Sequence, residues 1–252
     1  MTQRYKMVLA YDGRAYAGWQ VQPGQRTVQG ECEAALQTIS REQSRIECSG
    51  RTDAGVHARA QAAHFDLERA QDPDKLRFGL NGILDEDIRI ISLAPVSSEF
   101  HARFSALRKE YRYFIWNDSY VPPDLRFYRL HCPRSLDIDK MRAAAALLLG
   151  RHDFASFCSY RGKGEENTER NLLGLDVDRD GAEIVVRAVS EGFLYKMVRS
   201  LAGYLIRVGL GNISVEQTEA ILAERCRTAR VPSAEPHGLF LWWIDYPAEF
   251  QQ

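Results

Sequence analysis

Hydrophobic and polar positions repeat along the chain in two successive runs of the same element types. Residues 5–11 alternate as a strand and stop at Asp12-Gly13, a turn pair. Thr27 is an N-cap residue ahead of a helical pattern that reaches about Arg41 and turns Cys32, Ala35, Leu36 and Ile39 to one side. Segments 45–48 and 61–67 read as strands, with S-G-R-T-D-A-G-V-H between them. Pro73 starts a helix to about Ile83, and 88–93 is a β-branched strand. The first run is therefore β-α-β-β-α-β.

From Ala106 the pattern restarts. A strand runs to Trp116, a helix over 136–149 is opened by Asp137 or Asp139, and a hairpin of 172–178 and 183–189 turns at Asp180-Gly181. A helix over 193–208 follows, then a short added helix with Ser214 as cap and Ile221 and Leu222 inward, and a strand over 239–244 closes the set. Two such runs predict an α+β fold of duplicated ferredoxin-like halves, residues 1–105 and 106–252. The sheets are expected to be largely antiparallel, with helices on one face and a cleft between the halves. The least regular segment, 159–171, is charged and reads as a loop that orders on a ligand.

Composition narrows the partners. The 252 residues are 45% hydrophobic with a formal charge of −1, so no overall basic field marks a nucleic-acid binder. Charge is segregated instead: 66–87 carries seven acids against three bases, whereas 101–115 carries Arg103, Arg108, Lys109 and Arg112 against Glu110 alone. The five cysteines are odd in number and form no C-x-x-C pair, and the six histidines keep no metal-ligand spacing, so neither disulfides nor a metal are expected. No phosphate-cradling glycine motif follows a strand, which argues against a nucleotide cofactor. No segment reaches 18 consecutive apolar residues and the N-terminus lacks an apolar leader, so a soluble, cytoplasmic protein without a membrane partner is expected.

Three constellations carry candidate chemistry. Asp53 stands in S-G-R-T-D-A-G-V-H-A, where turn chemistry alone makes it a turn residue. Arg51, two residues before it, is placed to hold a carboxylate ionised, and Gly50 and Gly55 permit backbone that brings a substrate close, which suits a nucleophile. A glycoside hydrolase would need a second carboxylate, and the loop has none. In 107–116, Leu107, Lys109, Tyr111, Tyr113 and Ile115 share the more apolar parity, and interleaved aromatic and basic residues fit either a half-buried strand or single-stranded RNA. In F-L-Y-K-M-V-R-S, Lys196, Ser200, Gly203 and Arg207 form a narrow polar stripe. Arg199 lies on its shoulder, either solvated or half-buried against a carboxylate, Asp53 being one candidate. His57 and His64 flank the strand after the loop and read as structural or RNA-facing rather than catalytic.

In this order the motifs resemble the tRNA pseudouridine synthase A (TruA) family over nearly the whole chain. The resemblance rests on Y-D-G-R-A-Y-A-G-W-Q-V-Q, G-R-T-D-A-G-V-H-A, F-H-A-R-F-S-A with K-E-Y-R-Y, H-D-F-A-S-F, T-E-R, F-L-Y-K-M-V-R, V-G-L-G and H-G-L-F-L. One departure is Glu235 in A-E-P-H-G-L, where the family usually has proline. The resemblance implies isomerisation of uridine to pseudouridine in the anticodon stem-loop of tRNA, at about positions 38 to 40, without metal or organic cofactor. It makes Asp53 the catalytic aspartate, Arg51 the arginine of the same loop, Tyr111 the tyrosine against the flipped base and Arg199 the basic partner of the aspartate. It also implies a homodimer. A synthase for another RNA site, a small-molecule glycosylase and a non-catalytic RNA-binding module are the competing expectations.

Overall fold

In the computed structural model, which describes residues 2–159 and 167–250, β1 (Gln3–Tyr11) lies between two antiparallel neighbours, β3 (His57–Leu67) and β4 (Ile88–Val96). Tyr5, Met7, Leu9 and Tyr11 are buried at every second position, as the alternation requires. Short β2 (Glu47–Cys48) pairs β3 antiparallel, with Glu47 opposite His64. Thr27 accepts a hydrogen bond from the Gly30 N–H and starts α1 (Val28–Ser40), which ends where Arg41 takes a left-handed conformation. Asp72 caps α2 (Pro73–Ile83) by accepting from the Asp74 and Lys75 N–H groups. Helix α1 packs on α2, and α2 on β4. Ile39, expected inward on α1, is half-buried and lies over Gly79 of α2, where an added Cβ would come within 2.9 Å of its Cδ1.

This first unit is Met1–Lys109 with Phe240–Gln252. The last strand, β10 (Leu239–Asp245), was expected to close the second half. In the sheet order it does lie beside β5 (Arg108–Trp116), and it also runs parallel to β3, with Phe240 opposite His57 and Leu241 opposite Ala58. Alternation identifies a strand, but the partner it chooses is a long-range property that its own residues do not encode.

The second unit is Glu110–Leu239. Its strands follow the order β5 (Arg108–Trp116), β9 (Glu183–Ser190), β8 (Glu169–Asp180) and β7 (Gly150–Asp153), and two-residue β6 (Leu130–His131) joins β5 in parallel. The β8–β9 hairpin turns at Asp180-Gly181 as expected, with Gly181 at φ 57°. Asp137, not Asp139, caps α3 (Ile138–Ala146), which packs on β8 and on α4 (Met197–Gly209). Helix α4 starts later than its apolar pattern because Lys196 is left-handed at φ 59°. Its expected polar stripe is partly internal, since Ser200 and Gly203 are buried. Ile221 and Leu222 of α5 (Gln217–Ala223) face inward as expected, but the Ser214 side chain does not cap it; the Ser214 carbonyl accepts from the Gln217 N–H. Of the irregular segment 159–171, residues 160–166 lie outside the described residues, and from Glu169 the chain is already β8.

No helix among the described residues is long and apolar enough to cross a membrane. Two of the helical glycines, Gly203 and Gly82, give opposite expectations for alanine. A Cβ at Gly203 would stand 2.3 Å from the Pro232 carbonyl oxygen, so Gly203→Ala should lower stability by about 1–3 kcal/mol. Nothing lies within 4 Å of a Cβ at Gly82, so Gly82→Ala should raise stability by up to about 1 kcal/mol through helix propensity. Urea unfolding midpoints of the two variants check both signs.

Candidate active site

Between β2 and β3 the chain leaves the strand ladder and runs through 49–56. The Ser49 N–H donates to the Ala62 carbonyl of β3 at 2.8 Å. The Ser49 carbonyl accepts from the Lys109 ammonium at 2.5 Å, and the Gly50 carbonyl from Gln61 Nε2 at 2.7 Å. Thr52 is held twice, by its hydroxyl to the Tyr11 hydroxyl at 2.8 Å and by its carbonyl to the Trp19 N–H at 3.0 Å. The Val56 N–H then donates to the Asp53 carbonyl at 3.1 Å, closing a turn in which Gly55 is at φ 77°.

The Y-D-G-R-A-Y-A-G-W-Q segment is the bed of this loop. Gly18, at φ 98°, passes so close that a Cβ would stand 2.6 Å from the Thr52 carbonyl oxygen, and a Cβ at Gly13 would stand 2.0 Å from that of Val56. The Gly13 N–H donates to His57 Nδ1 at 3.1 Å, and the His57 ring stacks on Phe240 with centroids 4.5 Å apart. His57 and His64 are both buried within β3 rather than flanking it, which fits the structural of their two expected roles.

Asp53 is half-buried on this held backbone, and Arg51 beside it is exposed. Among the described residues no ion pair is seen between the two. Of the two glycines expected to loosen the backbone, Gly55 alone has positive φ.

Tyr111 and Arg199 belong to the second unit. Tyr111 is buried on β5 and meets Phe193 edge to face, with centroids 5.2 Å apart. Tyr113 is fully buried and its hydroxyl donates to the Glu235 carbonyl at 2.8 Å, so of the two tyrosines it is the structural one. Half-buried Arg199 donates through Nε to the Ala234 carbonyl at 2.7 Å, and the Ala234 N–H returns a bond to the Arg199 carbonyl. Glu235, the departure from the family pattern, therefore sits in a loop held through its backbone.

Arg227 was not singled out from the sequence. Its guanidinium donates to the hydroxyls of Ser159, Ser200 and Ser233, and burial, then the nearby Arg199 charge, lower its pKa. Serines scattered over that span give no linear signal of a common partner.

Glu47, His64 and His101 offer ligand atoms within 4.8 Å of one another, the arrangement of a metal site. The ring tautomers oppose that use. His64 Nδ1 accepts from the Ala102 N–H at 3.2 Å, and His101 Nδ1 accepts from the Arg103 N–H at 3.1 Å. In a neutral ring the proton then sits on Nε2, which can donate to Glu47 but has no lone pair for a metal. His101 Nε2 stands 3.5 Å from Glu47 Oε2. An open groove of about 690 Å³ beside α1, lined by Gln20, Gln29, Glu33, Gln37 and Arg45, does not include Asp53.

Comparison with known proteins agrees with the motif order. Residues 7–105 and 144–247 match the model of a family described as tRNA pseudouridine synthase. The chain is 42% identical to tRNA pseudouridine synthase A of Bacillus licheniformis, covering 96% of this chain and 99% of that one. It is 39% identical to the Bacillus subtilis protein of the same name, with the same two coverages, and 41% to that of Geobacillus kaustophilus, covering 99% of this chain and 96% of that one. Among solved structures, an archaeal box H/ACA sRNP Nop10-Cbf5 complex aligns with TM-score 0.36 at 15% identity over 80% of this chain and 43% of that chain, a likeness too loose to carry an argument.

The histidine cluster sets an acid limit on stability. Burial, then the charges of Arg4 and His101, lower the pKa of His64. The unfolded chain therefore binds the extra proton, so this contribution is complete above the ordinary histidine value of about 6.5 and is lost as pH falls from there toward the folded value. Urea midpoints should begin to drop below about pH 6.5, above the carboxylate range, and His64→Gln should flatten that part of the profile.

Proposed function

The chain belongs to the tRNA pseudouridine synthase family, isomerases that convert uridine to pseudouridine, and on that premise we propose that it modifies uridines of the tRNA anticodon stem-loop with Asp53 as nucleophile. The observation that carries this reading is the hold on the loop backbone at Ser49, Gly50, Thr52 and Val56. A carboxylate on a backbone fixed from both sides is oriented before substrate arrives, which is what attack at a sugar carbon or an electrophilic ring carbon needs. The target sites are uridines at about positions 38 to 40, in tRNA numbering.

The uridine leaves its stack at a cost of about a few kcal/mol, offset by stacking on Tyr111 and by phosphate contacts such as exposed Arg51 makes. Asp53 attacks, either at C1′ to form a glycosyl ester or after uracil has departed as an anion. The base turns over and C5 bonds C1′, breaking the Asp53 ester bond where one has formed; the C5 proton then passes to Tyr111 while N1 takes up a proton. Arg199 serves as the basic partner of the aspartate. The reaction exchanges one glycosidic bond for another, so every atom comes from the substrate, and water must be kept from the intermediate, since hydrolysis would leave an abasic site. The protein acts as a homodimer holding one tRNA. The duplicated ferredoxin-like organisation belongs to the same reading, supported in the first unit by the β-α-β-β-α-β element order and the strand sequence β4-β1-β3-β2.

Asp53→Asn should abolish pseudouridine formation in purified tRNA while tRNA affinity stays within a few-fold of wild type; joint loss of binding and turnover would count against a nucleophile. Tyr111→Phe keeps the ring and removes the hydroxyl. Single-turnover rates should fall by roughly 10²–10⁴-fold if the hydroxyl takes the C5 proton, and a near-normal rate would leave Tyr111 stacking alone. Mapping modified uridines in tRNA from cells with and without the protein checks the site.

A further inference from the structure

Lys109 has no part in the reaction just described, yet its position is unusual for a lysine. It takes an inward position of β5, on the parity of Tyr111 and Tyr113, and is only 8% exposed. The titratable groups that face it are Cys48 and Arg103, neither of which compensates an ammonium. Burial holds the Cys48 thiol up at about 12, so it stays neutral. The partner the ammonium does have is a backbone oxygen, the Ser49 carbonyl at 2.5 Å. Burying a lysine against a neutral acceptor is unfavourable, so the fold spends stability to bring a charge to this one carbonyl. Ser49 is where the chain leaves β3's ladder and enters the loop of Asp53.

We propose that Lys109 is a positioning residue for the pseudouridine synthase reaction, its ammonium fixing the Ser49 carbonyl and with it the path of the loop that carries Asp53. The inference rests on the reading of Asp53 as nucleophile. A bond from a charged donor is about twice as strong as one from a neutral donor, so the hold is tight while Lys109 is protonated and weakens when it is not. Burial pushes its pKa down to about 8, which places that change within the range an enzyme assay covers.

Full-length wild type, Lys109→Met, Lys109→Arg and Asp53→Asn are compared for kcat and KM on tRNA between about pH 7 and pH 9.5, with thermal melting to confirm folding. Lys109→Met should lower kcat by about ten- to a hundredfold, the scale of a misplacement near 1 Å, with KM for tRNA little changed. Wild-type kcat should decline as pH rises through about 8, and Lys109→Arg, a cationic donor that does not titrate there, should retain activity without that decline. A folded Lys109→Met with wild-type kcat overturns the inference, as does a wild type with no decline, or a decline preserved in Lys109→Arg. If Lys109→Met does not fold, the last two comparisons decide. An active Asp53→Asn would sink the nucleophile reading, whereas an inactive Asp53→Asn beside a normal Lys109→Met sinks the Lys109 inference alone.

Discussion

Backbone carbonyls that leave a sheet while still covered by protein must find donors outside the ladder, and at Ser49, Gly50 and Thr52 that requirement organises the first unit. The donors come from separate parts of the chain: Lys109 where β5 begins, Gln61 within β3, and the Trp19 amide in the segment after β1. Each can reach only if the backbones lie close, which is why glycine stands at 13 and 18. The free energy of these few bonds is modest, about 0.5–1.5 kcal/mol each for neutral pairs. Their geometric effect is larger, because three ties within four residues constrain the path of the loop. Arg51 and Asp53 are carried on that path, one facing solvent and the other half-covered.

The second unit holds its late loop by similar means with different residues. Ala234 exchanges hydrogen bonds with Arg199, the Glu235 carbonyl takes the Tyr113 hydroxyl, and Pro232 lies against Gly203. Because all three ties use main-chain atoms of the loop, glutamate can occupy position 235 without disturbing them. The same arrangement separates two tyrosines that looked alike in sequence. Tyr113 is committed to a loop carbonyl, while Tyr111 presents its ring to Phe193.

Features set by neighbouring residues were legible in the sequence. Thr27 and Asp137 cap helices, Pro73 opens one at its first position, and Asp180-Gly181 turns a hairpin, because each acts on backbone a few residues away. The motif around Asp53 was legible as a candidate site through its company of other motifs, since turn chemistry alone favoured a plain loop. Features set by tertiary register were not. Glu47 faces His64 only through strand pairing, and His101 joins them from a distant loop, so no spacing rule along the chain could find the cluster. Lys196 hides the true start of α4 because a left-handed lysine has no sequence signature. The role of Y-D-G-R-A-Y-A-G-W-Q as a bed for the loop is likewise a fact of packing.

The return of β10 to β3 has a consequence for how the chain is made. His57 and Phe240 are sheet neighbours although the whole second unit lies between them in sequence, so β3 carries a pairing of high contact order. During synthesis the stretch of β3 at His57 and Ala58 cannot gain this pairing until Phe240 and Leu241 have been made. Domains ordinarily fold in the order they emerge, and here a segment of the first unit follows the second unit in sequence. In sequence the second unit is thus an insertion between β3 and a strand that pairs with it.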